Sequence, residues 1–259
     1  MSDDEGGGSL YVLTAVLLTP AQFPGVLGDD FPEACAVLGV EPAGEGYGLV
    51  LGQDEDGARW TVVVDDVSLV AAAIASWDCG MDYDLSPDER TIVVSLAGWP
   101  LELSVAASGL PEPHDPEQGA DGTGRVPLTP PAAGAWGPVQ RRMGADQIAR
   151  AWADWREREA PDGGAAAAAH PGLARALAEA LEYTRTPPPP GRVRSSFAAE
   201  GSRTLRADGP GWSLVARTGD AAFVLLDEEP GEVLAVPREG DPELPALLAA
   251  LDRVAVRPA

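Results

Sequence analysis

An α+β protein is expected from this chain, with antiparallel meander sheets carrying packed amphipathic helices in two subdomains joined by a Pro/Gly-rich linker. Three observations lead there. Short runs rich in Val, Leu and Thr are punctuated by strong turn signals. Apolar stripes at helical spacing fall between those runs. Residues 106–138 are crowded with Pro and Gly and separate two such sets, and a structureless stretch of that length is unusual inside one compact domain. With 259 residues and 45% hydrophobic content, the chain can bury a sizeable core.

Residues 1–9 read as a flexible, acidic tail without the positive charge and apolar stretch of a signal peptide. Leu10–Thr19 is apolar on both alternating faces, which suggests a central strand covered on both sides. Pro20 opens a short helix ended by Gly28. A second helix has Asp30 as N-cap, Pro32 in its first turn, Glu33 three residues after the cap and Gly39 as its stop. Tyr47–Gly52 and Arg59–Val64 form a hairpin around Asp54-Glu55-Asp56-Gly57. Asp65 or Asp66 caps the next helix, whose Val67, Val70, Ile74 and Trp77 share one face. Strands at Thr91–Leu96 and around Leu101, Leu103 and Val105 complete an acidic domain over residues 10–105.

After the linker, residues 139–259 begin with a helix on which Ile148, Trp152 and Trp155 share a face, with Arg150, Asp154 and Arg158 along another. A second helix opens at Pro171 with a Leu173, Leu177, Leu181 stripe, and Pro187–Pro190 is a stiff spacer. Four strands are expected near 193–198, 212–217, 221–227 and 232–237. A final helix is capped by Asp241 and buries Leu244, Leu247, Leu248 and Leu251.

Charge is the most informative property of the sequence. All 18 basic residues are arginine, a usage that suits the coding bias of a GC-rich bacterial genome. Residues 1–124 hold 23 acidic residues against Arg59 and Arg90, a net of −21, whereas residues 125–259 are almost neutral. A strongly acidic surface repels nucleic acid and anionic membranes and steers basic proteins toward itself.

Motifs that fix a chemistry are scarce. Two cysteines and two histidines at scattered positions make neither a disulfide framework nor a zinc site. The cluster Asp78, Asp82, Asp84, Asp88, Glu89 fails the calcium-loop pattern, since the sixth residue from Asp82 is Pro87 and the twelfth is Val93. Gly44-Glu-Gly46-Tyr-Gly48 precedes a strand instead of opening a helix, so it does not read as a nucleotide loop. Cys79 with His114 is a weak nucleophile–base pair, because neighbouring carboxylates oppose a thiolate and His114 lies in a Pro-rich loop. Trp136 either pins the linker or anchors a partner.

The expectation is therefore a non-catalytic cytoplasmic binding protein, with no metal or cofactor, that engages a basic protein as immunity proteins and secretion chaperones do. The expected surface is Asp54, Glu55, Asp56, Asp65, Asp66, Asp82, Asp84, Asp88 and Glu89. The competing readings are a nucleic-acid-mimicking inhibitor of a DNA- or RNA-binding protein and a carboxylate-dependent hydrolase.

Overall fold

The computed structural model of the protein describes residues 10–23, 27, 30–79, 87–98, 111–117, 126–129, 134–158, 170–198, 201–237 and 242–258. The fold is α+β, with two antiparallel sheets and, among the described residues, six α-helices. The chain divides into two compact units. One comprises Met1–Thr19 and Leu38–Pro131, and the other Pro20–Val37 and Ala132–Ala259. The Pro20–Val37 segment thus belongs with the C-terminal half.

The first unit is a four-stranded meander of β1 (Tyr11–Leu18), β2 (Tyr47–Gln53), β3 (Arg59–Val64) and β4 (Ile92–Ala97), in that order. β2 is buried along its whole length, and the last four residues of β3 are buried as well. β1 stands at the end of the sheet order, not at its centre as its composition suggests. Apolar residues on both faces of a strand report what covers the faces; they carry no information on how many neighbours bond its edges.

Helix α2 (Val67–Asp78) lays Val70 and Ile74 against Val50, Val62 and Val64 of the sheet. Gly48 permits this approach, since a Cβ there would sit 2.3 Å from a Val70 methyl. The carboxylate of Asp66 accepts the Ser68 and Leu69 backbone N–H groups at 3.1 Å each and so caps the helix. The expected strand around Leu101, Leu103 and Val105 lies outside the described residues. Within the Pro/Gly-rich stretch, the His114 N–H donates to the Gly57 carbonyl and the Leu128 N–H donates to the Ala97 carbonyl.

The second unit has a five-stranded meander: β5 (Val193–Phe197), β6 (Arg203–Gly209), β7 (Trp212–Arg217), β8 (Ala222–Leu226) and β9 (Leu234–Val236). One face buries Leu205, Trp212, Leu214, Val224 and Leu226 under α5 (Pro171–Tyr183) and α6 (Leu244–Val254). α6 contributes Leu244, Leu247, Leu248 and Leu251, as the stripe predicts, but its N-cap is Glu243. α5 begins at Pro171 after His170, whose ring nitrogen accepts the Leu173 N–H at 3.3 Å.

The opposite face meets α3 (Pro138–Arg150) and α4 (Trp152–Arg158), which are separated at Ala151 by a non-helical backbone (φ −104°, ψ 39°). Here Ile148 and Trp152 pack on Val215, Phe223 and Leu225. Trp136 packs against this cluster, and its indole N–H donates to the Leu226 carbonyl at 3.1 Å, so this residue is a pin.

α1 (Phe31–Leu38) starts at Asp30, whose carboxylate accepts the Glu33 N–H at 2.9 Å. The short helix expected from Pro20 is a set of bends over residues 20–22, and part of its range lies outside the described residues. The strand β6 has no counterpart in the sequence reading. Its Arg-Thr-Leu-Arg-Ala-Asp-Gly sequence alternates correctly, but one of its faces is charged.

Candidate functional site

The acidic residues predicted as a surface fall into two groups. Asp54, Glu55 and Asp56 occupy the β2–β3 turn; Asp65 and Asp66 follow β3 at its other end, where Asp88 and Glu89 also lead into β4. That second grouping is fixed by the Asp65 N–H donating to the Thr91 carbonyl and by the pairing of Val64 with Ile92. The six residues of β3 separate the two ends by about 20 Å. Asp82 and Asp84 lie outside the described residues.

Three of these carboxylates also hold local structure. Asp54 accepts the backbone N–H groups of Asp56 and Ala58 and the indole N–H of Trp60, each at 3.0 Å. Asp66 caps α2, with hydrogen bonds that keep its carboxyl below the ordinary range, first among them the one from the Ser68 hydroxyl. Asp88 accepts the Arg90 N–H at 3.0 Å. Glu55, Asp56, Asp65 and Glu89 are exposed. Arg59 pairs with Asp115, the one ion pair found among the described residues of this unit.

Among the described residues, a second concentration of charge lies inside the second unit. Arg141 and Arg142 on α3 are fully buried there, outside the charged ladder of Arg150, Asp154 and Arg158 expected from sequence. Arg141 donates to Asp227 at 2.7 Å and to the Ser213 hydroxyl at 2.6 Å. Arg142 donates to Asp208 at 3.0 Å and stacks over Phe23, 4.3 Å from the ring centre.

Asp208 is the hub. It is fully buried on β6, and Arg142, Arg194 and Arg206 converge on it, with Arg194 at 2.9 Å and Arg206 at 3.5 Å. The Ser213 hydroxyl donates to it at 2.6 Å. Burial alone would raise its carboxyl pKa; the three guanidiniums overcome that and hold it far below the ordinary range. For Arg194 the balance runs the other way. Burial, then the neighbouring Arg142 charge, pulls its guanidinium down to about 9, against a partial opposing pull from Asp208.

The strand register explains the gathering. Arg194 on β5 pairs with Arg206 on β6, and Ser196 pairs with Thr204, so these four side chains share the sheet face that meets α3. α3 adds Asp146, which ion-pairs with Arg206, and the exposed Arg150. A cavity of about 380 Å³ opens over this ladder, lined by Arg150, Arg194, Arg206, Asp146, Ser196 and Thr204 among others. A charged face on a central sheet is the signal that sequence reading passed over. Arg206 and Asp208 lie two apart and so share one face of β6, a charged pair that is inconspicuous until the strand is in place.

The chain matches no protein-family model, no curated protein and no solved structure. Among the described residues, no helix is long and apolar enough to cross a membrane.

Proposed function

We propose that this is a non-catalytic cytoplasmic binding protein whose first unit uses its carboxylates to engage a basic partner protein. The observation that carries the reading is the imbalance of charge. The first unit, residues 1–19 and 38–131, holds three arginines (Arg59, Arg90 and Arg125) against 20 acids, and Arg59 is already committed to Asp115. Excess like charge on a folded unit opposes compaction and raises the association rate of an oppositely charged partner. Asp65 and Glu89 are exposed at one end of the sheet, where Asp66 and Asp88 also stand.

The test is affinity capture from the protein's own cell extract at low and high salt, followed by association kinetics with the purified partner. Asp65→Lys with Glu89→Lys is compared with Glu55→Lys and Asp56→Lys at the opposite end. None of these four side chains makes a capping hydrogen bond among those found, so the variants should fold. A basic partner whose on-rate falls about tenfold in one reversal pair, with a flatter salt dependence, supports the reading. An on-rate unchanged in both pairs would sink it.

A further inference from the structure

We propose that the cavity over the β5–β6 ladder binds a small molecule through a tetrahedral dianionic oxyanion, a phosphate monoester, gripped by Arg150, Arg194 and Arg206. The first support is the charge count. Among the residues that line the cavity, Arg150, Arg194 and Arg206 stand against the single carboxylate of Asp146, an excess of two positive charges that a dianion would neutralise. The second is the pairing of Arg194 with Arg206. Like charges directly opposite in a sheet repel, and Asp208 bridges them from one side only.

The third is unused donor capacity. The Nε–H groups of Arg194 and Arg206 are buried and meet no acceptor among the described residues, and both residues line the cavity. Arg194 is nine-tenths buried, so its charge is held at a cost that an anion would relieve. The fourth is geometry. Guanidiniums reach the cavity from β5, β6 and α3, and the Ser196–Thr204 cross-strand pair adds hydroxyl groups at its wall. A planar carboxylate is satisfied by one guanidinium fork, whereas a tetrahedral anion offers acceptors in several directions to forks arriving from different elements. The volume of about 380 Å³ exceeds a bare phosphate and leaves room for the group that carries it.

This site is independent of the acidic end of the first unit, and neither reading depends on the other. Isothermal titration calorimetry on the full chain tests it, with inorganic phosphate, ribose 5-phosphate and acetate as probes at matched ionic strength. The expected result is one saturable site per chain for phosphate or for the ester. A preference for ribose 5-phosphate identifies an organic ester, and equal affinity identifies the free ion. Arg150→Ala removes an exposed side chain and should weaken binding at least tenfold in a folded protein. Asp146→Asn removes the carboxylate that competes for Arg206 and should tighten it. No saturable binding of either phosphate probe would overturn the proposal, as would acetate binding equally well or affinities unmoved by both substitutions.

Discussion

Arg194 and Arg206 stand directly opposite each other on adjacent strands, and both guanidiniums reach the single buried carboxylate of Asp208, one at 2.9 Å and the other at 3.5 Å. With Arg142 at 3.0 Å, three cations share this one anion, and Arg206 pairs with Asp146 as well. The roles of the members are therefore unequal, and the substitutions that remove them have unequal outcomes.

Asp208→Asn leaves three buried guanidiniums without their shared counter-ion. Breaking a buried ion network by removing the scarce partner costs about 3–5 kcal/mol. Arg194→Gln leaves Asp208 with two guanidiniums and removes a like-charge contact, so its stability stays within about 1 kcal/mol of wild type. Urea unfolding at neutral pH, followed by tryptophan fluorescence, separates the two. Equal losses would refute the hub role of Asp208.

Asp208 also sets an acid limit. Its folded pKa lies below the ordinary carboxylate value, so the folded state resists protonation more than the unfolded chain does. Its contribution is fully present above the ordinary value of about 4 and is lost as pH falls below it. The urea midpoint of wild type should drop steeply below that pH. The curve for Asp208→Asn should be lower at neutral pH and shallower through the same window.

Asp54 serves the hairpin as an acceptor more than as a charge. Asp54→Ala strands the Ala58 N–H and the Trp60 indole N–H and should destabilise the first unit by about 2 kcal/mol. Asp54→Asn keeps one acceptor oxygen and should recover part of that loss. Equal destabilisation by the two variants would show that charge, not acceptance, is what the turn requires.

The two thiols should differ in reactivity. Cys35 is buried on α1, and that burial, with Asp30 nearby, raises its thiol to about 11. Cys79 is exposed. Under native conditions at pH 8 a disulfide reagent should modify one thiol quickly, and unfolding should release the second. Rapid modification of both in the native protein would contradict the burial of Cys35.

Much of the architecture could be read before folding because it depends on local rules. The Asp54–Gly57 turn, the Asp30 and Asp66 caps, Pro171 at a helix start and the leucine stripe of α6 each arise from chemistry within a few residues. The charge imbalance of residues 1–124 is likewise a property of composition.

What stayed illegible is non-local. Arg141 and Arg142 have the composition of a solvated helix face, and only the packing of α3 on the sheet turns them inward to Asp227, Ser213 and Asp208. Arg206 pairs with Arg194, 12 residues away, and with Asp146, 60 away; no periodicity encodes that meeting. Sequence alone determined most of the helices and strands, though not β6 or the bends after Pro20, and where charge is in excess, because propensity, capping and patterning act over one or two turns of chain. Tertiary structure alone decided which charges are buried and which share a partner, because strand register and helix packing set the distance and the desolvation that make a charge consequential.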